Sequence, residues 1–190
     1  MYRSKGFFRY LKSYPVVNGI IIVNIFFYIA TILSSRVIFE SMAGVNILIA
    51  NGEWWRLITP IFIHTNFSHL LFNCFAIYLF GSILEIKMKR ATFLLIYISS
   101  GVFANIITYQ FGSLTLVHVG SSGAVFGILG VIAVLIYFKQ LTLEQTRTLS
   151  VVILLAIILS FLQKDTNVLS HIGGFAWGLI CGLLLVRKRW

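Results

Sequence analysis

Apolar residues along this 190-residue chain fall in long blocks separated by short polar or basic stretches: roughly 16–34, 67–84, 92–110, 121–138, 149–163 and 169–186. A helix needs roughly 20 mostly apolar residues to cross the hydrocarbon core of a bilayer. The blocks therefore predict six transmembrane helices. The connections are short, apart from about thirty residues after the first block, so no separate soluble domain fits. The pattern predicts an all-α membrane protein: a single six-helix domain over 16–190, preceded by a basic segment, 1–15.

Composition agrees with that reading. Hydrophobic residues make up 59% and charged residues 11%, with a mean hydropathy of +0.96. A soluble domain carries roughly 25% charged residues. The net charge of +10 would suit nucleic acid, but its placement points elsewhere. With the N-terminus taken as cytoplasmic, twelve basic residues fall on the inner side: Arg3, Lys5, Arg9, Lys12, Lys87, Lys89, Arg90, Lys139, Arg147, Arg187, Lys188 and Arg189. Only Arg36, Arg56 and Lys164 fall on the outer side. This is the positive-inside bias of an even-numbered bundle with both termini in the cytoplasm. The charge is topological, and no nucleic-acid partner is expected. The first apolar block is too long for a signal peptide's core and has no clean cleavage site after it, so it reads as a retained helix. Cys74 and Cys181 lie inside predicted helices and read as packing residues.

Polar side chains at membrane depth need a partner or a function. The second block opens "NFSHLLFNCFAIYLFG", in which Ser68 or Asn66 can cap the helix. His69 and Asn73 follow at i and i+4 on one face. They could be an interhelical hydrogen-bonding pair or donors in a site. The sixth block, "SHIGGFAWGLICGLLLV", places His171 at the outer end of a glycine stripe, Gly174, Gly178 and Gly182. The fourth carries Ser122 at the outer end of its own small face, Gly123, Gly127 and Gly130. Such stripes let helices approach closely, and packed together they would bring Ser122 and His171 near each other. The second, fourth and sixth helices all start on the outer side, so the three polar groups share one depth.

That constellation suits acyl transfer to water. A serine becomes a nucleophile when an adjacent base takes its proton, and His171 can be that base. No acid is placed to orient the imidazole: Glu40 and Glu53 lie in the first loop, Glu85 and Glu144 on the cytoplasmic side, and Asp165 in the loop before the last helix. A Ser–His dyad is therefore predicted. His69, Asn73 and the backbone N–H of Ser122 at a helix N-terminus can serve the oxyanion. Gly120 and Gly123 allow a tight turn and close approach of substrate. There is no H-E-x-x-H, and no carboxylate lies at ligand spacing from His69 or His171. Neither metal nor cofactor is expected.

At these residues the chain resembles the rhomboid family of intramembrane serine proteases, from Trp55 to about Val186. The family's Gly-x-Ser-Gly stands as Gly120-Ser121-Ser122-Gly123, which assigns the nucleophile to Ser122 and not to Ser121. The last-helix histidine with spaced glycines stands as His171, Gly174 and Gly178. The first-loop Trp-Arg pair stands as Trp55-Arg56, and the histidine–asparagine pattern as His69 and Asn73, with an upstream histidine at His64. Some relatives carry a tyrosine four residues after the nucleophile, stacked on the histidine. Here Phe126 keeps the aromatic face. The resemblance implies cleavage of transmembrane protein substrates near the outer face of a cell membrane, in the compact form found in the bacterial plasma membrane. His118 is outside the motif and reads as an exposed loop histidine. The aromatic first loop reads as interfacial, and the fifth helix as peripheral.

Two other readings compete. An inactive relative would bind transmembrane clients without cutting them, but it would be expected to lack the serine or the histidine. A transporter with a histidine proton path would often show internal repeats, and none is present. The protease reading is preferred.

Overall fold

The computed structural model describes residues 12–162 and 166–187. Most of the expected basic segment, together with Lys164, Asp165, Lys188 and Arg189, lies outside the described residues. The long helices are α1 (Pro15–Leu33), α4 (Phe67–Lys87), α5 (Arg90–Phe111), α6 (Ser122–Tyr137), α7 (Leu143–Leu162) and α8 (Val168–Arg187). Among the described residues α1, α4, α5 and α8 are each long and apolar enough to cross a membrane, and α6 is a shorter apolar helix. Between α1 and α4 lie the short helices α2 (Val37–Met42) and α3 (Asn46–Ala50), followed by two 3-10 turns, Trp54–Leu57 and Thr59–Phe62.

Helix α6 is the axis of the fold. Every residue from Gly123 to Ile132 is buried, and its widest contacts are with α8 and α5. The α6–α8 contact runs backbone to backbone along the two glycine stripes. A Cβ at Gly174 would collide with the Gly123 carbonyl, and one at Gly178 with the Gly127 carbonyl. Gly182 meets Val134 instead, at 2.9 Å from its Cβ.

Two boundaries differ from expectation. Helix α7 begins at Leu143 rather than near 149, because Thr142 and Gln145 form a capping box: Gln145 N–H donates to Thr142 Oγ1 and Thr142 N–H to Gln145 Oε1, both at 3.2 Å. Helix α4 continues to Lys87 through a π-helical turn, Ile77–Gly81. There Gly81 takes the crossing of α1, with a notional Cβ 3.0 Å from Val17 and 3.1 Å from Phe93.

A buried acid fastens α1 to α4. The Glu85 carboxylate accepts the N–H groups of Val16 and Val17, each at 2.9 Å. These are first-turn amides that no helical carbonyl can reach. The first loop is tied to the rest at a second point, where β1 (Gly44–Val45) pairs antiparallel with β2 (Val117–His118), Gly44 opposite His118. Asn46 reinforces this clasp through Nδ2, which donates to the carbonyls of Ser113 at 2.8 Å and Thr108 at 3.2 Å.

Candidate active site

The turn entering α6 has an imposed geometry. Gly120 has φ +112°, and its N–H donates to the Pro60 carbonyl at 2.9 Å. That backbone conformation disfavours a side chain, and the space is taken in any case: a Cβ there would stand 2.6 Å from His69 Nε2. The next residue, Ser121, is fully buried, with its hydroxyl 3.4 Å from His64 Nε2. Ser122 is the first residue of α6, half-buried, and no side chain caps this helix. Its first amides are therefore donors left for a ligand.

Helix α8 brings His171 to the same end of the bundle. Asn167 accepts the Ser170 N–H at 3.1 Å and donates to Thr108 Oγ1 at 2.9 Å, which fixes the start of α8 on α5. Gly123 abuts the residue before the histidine, with a notional Cβ 2.6 Å from Ser170 Oγ. One turn beyond Ser122, the Phe126 ring lies flat on the His171 imidazole, centroids 4.0 Å apart and planes within 10°. Ser122 and Phe126 are i and i+4 on one helical face, so the aromatic plane orients the imidazole on the side of α6 that carries Ser122.

His69 completes the group from α4. Asn66, not Ser68, is the cap: its Oδ1 accepts the His69 N–H at 2.9 Å, and Ser68 Oγ donates to the same oxygen at 2.7 Å. His69 Nδ1 lies 3.2 Å from Thr65 Oγ1. With the threonine hydroxyl as donor, the ring proton sits on Nε2, the nitrogen beside Gly120. Asn73 lies one turn along, buried, with Nδ2 donating to the His69 carbonyl at 2.9 Å. One of its two amide protons is thus committed to the backbone. His64 packs edge-to-face on His69, centroids 5.1 Å apart. Burial above all, with the neighbouring His69 and against the opposing Phe62 backbone, holds the His64 pKa down to about 3, so its ring is neutral.

Other singled-out residues lie apart from this group. Arg56 is buried in the first loop, donating to the carbonyls of Glu40 at 2.8 Å and Ala43 at 2.6 Å and pairing with Glu53 at 2.6 Å. Trp55 is exposed, its indole N–H reaching the Ser41 carbonyl at 3.2 Å. Both organise the first loop. The expectation that His118 is an exposed loop residue is corrected: it is 5% exposed, its imidazole laid over Gly44, where only a residue without a Cβ leaves room. Sequence reasoning passed over Asn167 and Asn46. Asn167 did carry a signal, an asparagine directly before an apolar run. Asn46 carried none.

Comparison with known proteins returns one family. Residues 51–188 match the family model of the Rhomboid domain. The chain is 37% identical over 192 residues to YdcA of Bacillus subtilis (strain 168), whose name assigns it provisionally to the rhomboid proteases; the match covers 98% of this chain and 96% of that one. It is 34% identical over 142 residues to the rhomboid protease GluP of the same organism, covering 74% of this chain and 28% of GluP. Rhomboid-like protease 1 of Toxoplasma gondii is 28% identical over 193 residues, covering 94% of this chain and 65% of that protein.

Proposed function

The chain belongs to the rhomboid family, and on that premise we propose that it is an intramembrane serine endopeptidase that cuts transmembrane protein substrates with a Ser122–His171 dyad. The observation that carries this reading is the flat stack of Phe126 on His171, one helical turn from Ser122. The stack supports the reading because Phe126 and Ser122 lie on one face of α6, so that His171 would act from that face.

In the proposed reaction His171 takes the Ser122 proton as Oγ attacks the scissile carbonyl carbon. The resulting oxyanion faces His69 Nε2–H and the uncapped amides at the start of α6, with the remaining Asn73 amide proton in support. Collapse breaks the C–N bond, and the leaving amine takes the proton from His171. Water, deprotonated by the same imidazole, then hydrolyses the acyl ester and releases the serine. Phe126, Gly120, Gly123, Gly174 and Gly178 position these groups.

The proposed setting is a bundle of six membrane helices with both termini cytoplasmic, in a bacterial plasma membrane. The length of α6 supports a site below the membrane surface. Sixteen residues rise about 24 Å at 1.5 Å each, short of the ~30 Å hydrocarbon core. Helix α7 completes the count as a peripheral member, with Leu154, Leu155 and Leu159 exposed.

The test is cleavage of a model transmembrane substrate in liposomes, together with fluorophosphonate labelling. Wild type and Ser121→Ala should cut, because the Ser121 hydroxyl faces His64 in the interior. Ser122→Ala and His171→Ala should lose at least about 10³-fold in rate, the scale on which dyad members act together. If wild type neither cuts nor labels, the chain is a client-binding relative.

A further inference from the structure

We propose that a cavity at the end of α1 binds the phosphate of an anionic phospholipid whose acyl chain lies along α1. The inference rests on the chain lying in a membrane and on none of the residues proposed for catalysis.

The cavity, of about 240 Å³, is walled by the end of α1, the turn after it, Phe39 of α2 and the segment before α4. Arg36 is the only charged residue on its wall. Among the described residues no carboxylate lies within salt-bridge range of that guanidinium, whereas Arg56 pairs with Glu53 and Arg90 approaches Glu85. Arg56, another basic residue of the first loop, has a structural task; the Arg36 guanidinium has no ion pair among the described residues. Its backbone is also held in an uncommon state. Ser35 and Arg36 are consecutive non-glycine residues in the left-handed region, φ 50° and 75°, a conformation that side-chain-bearing residues adopt only where the surroundings enforce it.

The rest of the wall complements an oxyanion. Tyr28, Thr31 and Ser35 on that wall carry hydroxyls, and the Thr31 Oγ1 is buried without a hydrogen-bond partner; the Thr65 hydroxyl is already engaged with His69. A guanidinium with nearby hydroxyl donors is a phosphate-binding set. His64, also on the wall, is buried and adds no counter-charge.

A lipid fits better than a free anion because an apolar track leads to the cavity. Ile22, Ile25, Ile29 and Ile32 are all exposed and recur at i, i+3, i+7 and i+10, forming one stripe of α1. Ile32 itself lines the cavity. From Ile22 to Ile32 the stripe rises about 15 Å, half of a ~30 Å core and hence the depth of one acyl layer. Occupancy would also be felt at the proposed site, since Thr65 on the cavity wall contacts His69 Nδ1 at 3.2 Å.

The test is native mass spectrometry of the full, delipidated chain in detergent, titrated with phosphatidylglycerol or phosphatidylcholine of the same chain length. Lys87, Lys89 and Arg90 would attract anionic headgroups too, so the quantity to follow is the tightest bound lipid. Wild type should bind one phosphatidylglycerol ahead of phosphatidylcholine, and Arg36→Gln should weaken that binding about tenfold or more. Thr31→Val, which keeps the charge and the shape, should weaken it by a smaller factor. Wild-type affinity in Arg36→Gln, or equal binding of the two lipids by wild type, would overturn the proposal. Displacement of the lipid by millimolar inorganic phosphate would overturn its lipid source. Because the readout is binding, an inactive protein that still retains the lipid leaves this inference standing while removing the catalytic one.

Discussion

Phe126 restrains His171 through ring contact alone, so its effect should be separable from the chemistry. Phe126→Ala removes that ring contact and should lower kcat/KM by about 10²-fold, the cost of a small misplacement of a reacting group. Phe126→Tyr, which keeps the plane, should stay within a few-fold of wild type in the same liposome assay. His118 yields a different kind of prediction. Burial over Gly44 holds its pKa at about 4 against the ordinary 6.5. Above pH 6.5 neither folded nor unfolded chain carries that proton. Between 6.5 and 4 only the unfolded chain takes it up, so stability should fall with pH across that window, by about 1 kcal/mol per unit. Thermal unfolding in detergent should show the decline in wild type and a shallower one in His118→Leu, with the remainder due to the other histidines. The histidine was visible in the sequence and its environment was not. Nothing local to "LVHVG" discloses that Gly44 lies over the ring.

At the scale of elements, the α6–α8 contact is the most exacting part of the fold. At Gly174 and Gly178 its atoms are backbone on both sides, so no side chain can swing away from an added methyl. Gly178→Ala should therefore destabilise by about 3 kcal/mol, lowering Tm by about 10 °C. Gly19→Ala is the matching control, since nothing lies within 4 Å of a Cβ there, and it should leave Tm unchanged. These helices were legible because two periodicities coincide in each: a long apolar block and a glycine stripe at three- and four-residue spacing. The places where expectation and structure part are governed by shorter-range chemistry. The Thr142–Gln145 box starts α7 early, and the π turn in α4 leaves no mark in hydropathy. The first loop was legible only as aromatic and interfacial. Its two short helices, its clasp to β2 and its buried Arg56 depend on partners distant in sequence.

The whole molecule is held by a few such long-range ties, and Glu85 is the one that reads most misleadingly from sequence. It suggests a surface acid beside a basic turn, yet its side chain is 1% exposed and serves the far end of another helix. Glu85→Ala leaves one buried and one part-buried amide without acceptors and should lower stability by about 2–4 kcal/mol, measurable as a drop in Tm with the α8 end unaffected in hydrogen exchange. The tie also imposes an order on biogenesis. The acceptor is encoded 68 and 69 residues after the donors it serves, a stretch that takes roughly 3 to 14 seconds to translate at 5–20 residues per second. Through that interval the first amides of α1 await this acceptor, and only the arrival of α4 supplies it. Helix α1 is thus made well before its anchor and locked in place only once α4 has followed it.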